Sequence, residues 1–198
     1  MTRSTEAKQK LREICRIAAR VFYAKSYDGA SMQDIAKAVG LTKAGLYHHV
    51  GSKDLLLYEI QNYGMDILEE DVLAPLKDIA DPREKLRRTI IGHIDLIVRA
   101  RDQEITVILH ENRSLSGPLR KKLNARKRGY IEYLVDLIQR VQDQSGKPPQ
   151  VSPRLATFAL LGMVNWLYQW YKTDGAVKQD ELAQVYTDFF FRGLLGTT

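Results

Sequence analysis

The stretch Ser31–Lys53, SMQDIAKAVGLTKAGLYHHVGSK, predicts two short helices joined by a tight turn. Ser31 and, three residues later, Asp34 form the capping-box pattern that begins a helix. Gly40 can take the left-handed conformation that ends this helix, and Thr42 can cap the second one. The spacing fits a helix-turn-helix, whose second helix enters the major groove of DNA. It fits equally well an ordinary helical hairpin inside an all-helical core.

The second helix of this stretch has two different faces. Leu46 and Val50 recur at helical spacing, so we expect both side chains to point into a core. Lys43, Tyr47 and His48 then lie on the opposite face, near the start of the helix. A polar and basic outer face of this kind favours a role in binding.

The run GLTKAGLYHHVGSKD, from Gly40 to Asp54, resembles the signature of the TetR family of repressors. The resemblance implies an all-α fold of about nine helices, in which an N-terminal three-helix helix-turn-helix domain precedes a C-terminal helical ligand-binding and dimerisation domain. We expect the DNA-binding domain at residues 8–68, with its helix-turn-helix at 31–50, and the second domain at 69–198. The implied function is a sequence-specific repressor that a small hydrophobic effector releases from a palindromic double-stranded DNA operator.

Most of the predicted DNA-binding residues follow from the resemblance. They are Ser31, Thr42, Lys43, Ala44, Gly45, Tyr47, His48, His49 and Lys53. Residues 42–44 are expected at or near base edges, whereas Tyr47, His49 and Lys53 are expected at phosphates. His48 is an additional candidate in this sequence.

Two positions depart from the family pattern. Gly45 stands where the family often has Thr, so a side chain that can touch DNA is missing. Glycine inside a helix also costs up to ~1 kcal/mol relative to alanine. Val50 replaces an aromatic residue and must fill less space. We therefore expect base reading to depend on few side chains.

Composition is consistent with a DNA partner but does not require one. The chain has 198 residues, 44% of them hydrophobic, and a net charge of +6, and residues 1–54 hold ten Lys or Arg against five Asp or Glu. The single cysteine, Cys15, is predicted to be a buried and inert thiol. No apolar run follows the N-terminus, and the most apolar segment, 156–171, is shorter than the ~20 residues of a membrane span. We expect a cytoplasmic protein.

Caps and periodic apolar positions predict helices along the rest of the chain. The first helix should cover about residues 5–26, and the one after the motif should begin at Ser52 and run to about Val72. Later helices are predicted from Asp81, over 103–112, from Ser116-Gly117-Pro118 to a linker at 145–149, from Ser152 to Tyr171, and over 179–195. We find no β-strand signal and no internal repeat.

The last two predicted helices are more apolar than a small monomer needs. The helix that ends at Tyr171 is apolar on nearly every side, and the final helix contains Phe189-Phe190-Phe191. An exposed apolar patch of several hundred Å² normally marks an interface. TetR-like proteins dimerise through their final two helices, so the resemblance implies a homodimer; a monomer that buries both helices in its own core is the alternative.

TetR-like repressors carry an effector cavity in the C-terminal body. The predicted ligand-binding residues are Tyr63, His93, His110, Arg113, Tyr130, Asn165, Trp166 and Trp170. The block NWLYQWYKTDG, Asn165 to Gly175, resembles regulators of fatty-acid and sterol degradation that respond to acyl-CoA thioesters. The basic side chains of Lys121, Lys122, Arg126 and Lys127 then become candidates for the CoA phosphates, or form a solvated helix face.

Other function classes remain open at this stage. A TetR-type efflux regulator that responds to hydrophobic or cationic drugs is the nearest alternative. An enzyme is less favoured, because Gly-x-Ser-x-Gly, phosphate-binding glycine loops and His-Glu-x-x-His are absent from the sequence. His110-Glu111 lacks a second histidine, so we predict no metal, no cofactor and no catalytic residues. A non-specific architectural DNA binder would not need so large an apolar body.

Overall fold

The computed structural model describes residues 5–99, 115 and 117–196, and every regular element within these ranges is helical. The chain forms two compact units. Of the described residues, the first unit, here called the head, holds 5–66, 115 and 117–125, and the second, the body, holds 67–99 and 126–196. The predicted all-α class is confirmed.

The head begins with four helices. They are α1 (Thr5–Gly29), α2 (Met32–Val39), α3 (Lys43–Val50) and α4 (Lys53–Ile67). The helix α1 is longer than the predicted 5–26 because the chain resumes helical hydrogen bonding after a break at Ser26, where φ is 60°. Its apolar face is buried, and the predicted burial of Cys15 is confirmed.

Local caps fix the bounds of α2, α3 and α4. The Ser31 hydroxyl accepts from the backbone N–H of Asp34 (3.1 Å), and the Asp34 carboxylate accepts from the backbone N–H of Ser31 (2.9 Å). Gly40 ends α2 with φ 75°. Thr42 and Ser52 cap α3 and α4 by accepting from the third N–H of each helix, both at 3.0 Å. The caps predicted from the sequence are therefore confirmed.

The body continues the chain with a π-helical segment (Leu68–Leu73) and a 3₁₀ turn (Ala74–Leu76). The helix predicted to run to Val72 is thus an α-helix only to Ile67. The following helices are α5 (Pro82–Arg99), α6 (Gly117–Ser145, of which residues 126–145 belong to the body), α7 (Pro153–Asn165), α8 (Leu167–Trp170) and α9 (Gln179–Leu195). The helix predicted at 103–112 lies outside the described residues.

One predicted helix is broken. The stretch expected to run from Ser152 to Tyr171 ends at Asn165, and the short α8 follows after Trp166. No glycine or proline marks the break. It leaves Val164 and Leu167 both fully buried, so packing of the body, not local propensity, sets this position.

The interiors of the two units are apolar. Head positions such as Ile14, Phe22 and Leu46 are fully buried, as are Leu86 and Ile94 of α5 in the body. Within the described part of the chain, no helix is both long and apolar enough to cross a membrane.

Candidate DNA-binding surface and effector site

The exposed face of α3 carries most of the predicted DNA-binding side chains. Leu46 and Val50 are buried and hold the helix against the head, as predicted. Thr42, Lys43, Ala44, Tyr47 and His48 are exposed, whereas Gly45 and His49 are half-buried. The structure therefore gathers the predicted base-contacting residues at the start of one short helix, together with Tyr47 and His48.

Ser31 and Thr42 have capping roles that restrict what else they can do. The Ser31 hydroxyl also donates to the Asp34 carboxylate (2.6 Å), which in addition binds Lys25 of α1 at 2.6 Å. The hydrogen bond from Lys25, followed by those from Ser31, lowers the pKa of Asp34 well below its ordinary value. The Thr42 hydroxyl accepts from the N–H of Gly45 and keeps its own hydrogen for an outside acceptor.

The glycine at position 45 lies beside the capping side chain of α3. A Cβ atom at this position would lie 3.1 Å from the Thr42 Oγ1 atom, which is tighter than most contacts of real Cβ atoms. The equivalent positions of α2 and α4 carry Asp34 and Leu55 beside the caps Ser31 and Ser52, so this contact does not by itself require glycine. The chain keeps a short, well-capped helix and has no side chain at this position.

The start of α4 presents the remaining predicted phosphate contact. Lys53, the first residue of the helix, is half-buried, and its Nζ atom lies 4.4 Å from the centre of the Tyr27 ring. The Tyr27 hydroxyl donates to the carboxylate of Asp54. Tyr27 was not among the DNA-binding residues predicted from the sequence.

Three of the predicted effector residues meet in the body. The Tyr130 hydroxyl lies 3.0 Å from Nδ1 of His93, and the Asn165 side chain is also hydrogen-bonded to His93. Burial lowers the pKa of His93 to about 4, so the imidazole is neutral at physiological pH. Burial likewise raises the pKa of Tyr130. The three groups form a neutral polar cluster suited to an uncharged carbonyl or amide.

Two further residues extend this neutral cluster. The ring of Tyr133 stacks on Tyr130 with centroids 6.3 Å apart, and its hydroxyl lies 3.4 Å from the hydroxyl of Thr89. Tyr133 was not among the predicted ligand-binding residues. Its position, three residues after Tyr130 on a predicted helix, was the available signal.

The other predicted effector residues lie elsewhere. Tyr63 belongs to the head, where it contacts Arg12 (5.4 Å to the ring centre) in a cleft of about 530 Å³ against α1. Trp166 and Trp170 are on the outer surface of the body, 61% and 45% exposed. His110 and Arg113 lie outside the described residues.

The basic side of α6 does not act as one group. Lys121 and Lys122 are exposed, but Arg126 pairs with Glu69 at 2.8 Å. Lys127 is half-buried, and burial lowers its pKa to about 8. Arg126 would have to leave its ion pair to meet a phosphate.

Large apolar side chains are exposed along the last helices of the body, and they are here called the apolar surface. Its exposed side chains are Leu155, Phe158, Trp166, Trp170, Val185 and Phe189. Phe189 is 70% exposed. So many large apolar side chains on three neighbouring elements are typical of a protein–protein interface.

Comparisons with known proteins agree with this arrangement. The family model described as bacterial regulatory proteins, tetR family, matches residues 14–60, and the one described as tetracyclin repressor-like, C-terminal domain, matches residues 80–194. The crystal structure of AibR in complex with isovaleryl coenzyme A and operator DNA is 40% identical, covers 91% of this chain and 97% of the AibR chain, and has a TM-score of 0.84.

Two curated relatives match over most of their length. The HTH-type transcriptional repressor KstR2 of Mycolicibacterium smegmatis is 23% identical over 92% of this chain and 89% of KstR2. The HTH-type transcriptional activator FasR of the same organism is 25% identical over 89% of this chain and 79% of FasR.

Proposed function

The chain belongs to the TetR family of bacterial regulatory proteins, and on this premise we propose that it is a homodimeric repressor released from its operator by an acyl-CoA. The exposed start of α3 is the observation that carries the DNA-binding role. It presents Lys43, Tyr47 and His48 over a buried Leu46, so these side chains can enter a groove without disturbing the core. Since the proposed partner is operator DNA, the proposal includes a cytoplasmic location.

Specific binding needs two copies of the head. One eight-residue recognition helix reaches few base edges, whereas a two-fold dimer reads two half-sites of a palindrome. The apolar surface of α7, α8 and α9 is the surface that a second copy would cover. Trp166 and Trp170 then serve dimerisation in this proposal, in place of the ligand-binding role expected from the sequence.

The effector is proposed to be a short-chain acyl-CoA. AibR, 40% identical over nearly the whole chain, was crystallised with isovaleryl coenzyme A. In this chain the neutral groups of His93, Tyr130 and Asn165 suit a thioester carbonyl better than a carboxylate, because none of them carries a positive charge. A ligand there must replace hydrogen bonds that these groups make with each other. Binding would thereby change the packing of the body, as a released state requires.

The test of DNA binding begins by selecting a preferred duplex from a random pool with the purified protein. Selection should yield a palindrome whose half-site centres lie about 10 base pairs, or a multiple, apart. Affinity for this operator is then measured with and without isovaleryl-CoA. Weaker binding in its presence supports release, whereas tighter binding would overturn the repressor assignment in favour of an acyl-CoA-dependent DNA binder. Failure to enrich any sequence would contradict the specific DNA-binding role.

Thermal unfolding tests the effector class separately. Isovaleryl-CoA at a hundredfold excess over its dissociation constant should stabilise the protein by ~2.7 kcal/mol. Free CoA and isovalerate serve as ligand controls. Asn165→Leu should remove the response to isovaleryl-CoA, while Gln139→Leu, at an exposed position of α6, should retain it. No stabilisation by any thioester would exclude the proposed effector class.

A further inference from the structure

The end of α1 takes an unusual backbone path that buries a tyrosine. Ser26 has φ 60° and ψ 166°, and it is the one non-glycine residue with positive φ among those the structure describes. This conformation costs free energy for a side chain with a Cβ atom. It turns Tyr27 inward, where the ring is 8% exposed and lies 5.3 Å from the ring of Phe22. The break at Ser26 thus allows the Tyr27 ring to be held in one place against Phe22.

Tyr27 contacts the first two residues of α4 through different parts of its side chain. Its hydroxyl donates to the carboxylate of Asp54, and its ring face lies 4.4 Å from the Lys53 ammonium. A lysine in the first turn of a helix is at the unfavourable, positive end of the helix dipole. The electron-rich face of an aromatic ring attracts a cation and offsets this cost. The ring thus holds a cation where the helix alone would disfavour it.

The same helix start offers backbone donors to an anion. The Ser52 side chain and carbonyl accept from the N–H groups of Leu55 and Leu56, both at 3.0 Å. Those of Lys53 and Asp54 have no acceptor within the described ranges. An ammonium beside two free N–H groups at a helix start matches the needs of a phosphate.

We propose that Tyr27 is a positioning residue for the phosphate contact of Lys53. This inference rests on the proposed DNA-binding function. The ring restricts the Lys53 side chain before DNA arrives, so less conformational freedom is lost on binding. The bond to Asp54 fixes the ring at the start of α4. Tyr27 itself need not touch DNA.

The competing explanation is that Tyr27 only fills the core beside Phe22. Substituting Phe or pentafluorophenylalanine at position 27 distinguishes the two, because both side chains keep the packing of the ring. Pentafluorophenylalanine reverses the ring's charge distribution, so only it removes the attraction for Lys53. Neither side chain can donate to Asp54, and the pair therefore isolates the cation–ring contact.

The experiment measures affinity for a random-sequence duplex, because a phosphate contact does not depend on sequence. The pentafluorophenylalanine protein should bind roughly three- to tenfold more weakly than the Tyr27→Phe protein. In a Lys53→Ala background the same pair should differ by less than about twofold. Pentafluorophenylalanine at Tyr23, which is exposed on α1, is the matched control and should leave affinity unchanged.

The double comparison gives a clear result in either direction. A difference that disappears without Lys53 supports positioning, since a purely structural defect would persist in the Lys53→Ala background. Equal affinities of the two proteins, or an equal loss in both backgrounds, would overturn the proposal. Failure of DNA binding by the unsubstituted protein would instead contradict the proposed function.

Discussion

Helix α3 of the head and the candidate sites of the body place polar and apolar side chains in opposite ways. In α3 of the head, apolar residues such as Leu46 face inward, and polar ones such as Lys43 and His48 face solvent. The body instead buries His93 and exposes Phe189. Helix α3 follows the ordinary pattern of a soluble domain. The body departs from it in two ways, because it buries a polar side chain and exposes large apolar ones.

Each departure indicates a place where another molecule is needed. Exposed apolar area is stabilised by covering it with a second protein surface. Buried polar groups satisfied by one another can exchange those bonds for bonds to a ligand, but only if the packing changes. The head can replace water by phosphate without such a change. We therefore expect DNA contacts to be local and salt-dependent, and the functions of the body to be coupled to its stability.

Breaking the apolar surface should have the largest effect. Phe189→Arg places a charge where the proposed dimer excludes water, and we expect the dimer to weaken by at least ~3 kcal/mol, about a hundredfold or more in its dissociation constant. Analytical ultracentrifugation measures this change. Operator affinity should fall with it, because a monomer binds a single half-site.

The control for this substitution is Gln139→Arg, which adds the same charge at an exposed position of α6. It should leave the dimer intact. If Phe189→Arg remained a dimer at nanomolar concentration, dimerisation through the last helices would be wrong, and the exposed apolar surface would need another partner.

Acid should reveal the buried polar cluster. Burial lowers the pKa of His93 from 6.5 to about 4. Between these two pH values, His93 is protonated in the unfolded chain but neutral in the folded body. Above pH 6.5 this group does not lower the free energy of unfolding. As the pH falls from 6.5 towards 4, the free energy of unfolding decreases. The loss should reach roughly 2–3 kcal/mol. Urea unfolding of the dimer at a series of pH values measures it.

Two histidine variants separate this effect from general acid unfolding. His93→Asn should be less stable at pH 7 but should lose less stability on acidification. His48→Asn removes an exposed histidine from α3 and should retain the full pH dependence. An unchanged pH profile in His93→Asn would contradict a neutral, buried imidazole.

The difference between the units also decides what the sequence can predict. Caps such as Ser31 and Thr42 act on donors within three residues, so short patterns located α2 and α3 and separated Leu46 from Lys43. The final helix, Gln179–Leu195, was predicted with the same bounds from its apolar positions at helical spacing, although no side chain caps its start. Such signals lie within a few neighbouring residues, so they can be recognised without knowing which other helices pack against the segment.

The effector residues could not be grouped in this way. His93 and Tyr130 are 37 residues apart in sequence. The sequence of neither helix indicates which of its faces packs against the other helix. The break at Trp166 follows from packing and carries no glycine or proline signal. The type of an aromatic residue such as Tyr63 also does not indicate whether it lies in the head or in the body. Selecting ligand residues by residue type therefore combined residues from the polar cluster of the body, from the surface of the body and from the head.

A local effect of intermediate size is expected at the cap of α3. Thr42→Ala removes the acceptor for the N–H of Gly45, and the loss should be about 1 kcal/mol of unfolding free energy, with weaker DNA binding because the first turn frays. Thr42→Ser keeps the acceptor and should lose much less. Urea unfolding compares the two. Equal losses would show that the methyl group, not the cap, is what matters.

The smallest effect is expected at a single phosphate contact. Lys53→Ala should weaken binding to all sequences by a similar factor and flatten the plot of log affinity against log salt by about one unit for each protomer. Lys43→Ala should instead reduce the preference for the operator over a random duplex, because Lys43 is proposed at base edges. Lys121→Ala, an exposed lysine on α6, is the control that should change neither quantity. A sequence-selective loss in Lys53→Ala with an unchanged salt slope would reverse the two roles, and would assign base reading to the start of α4.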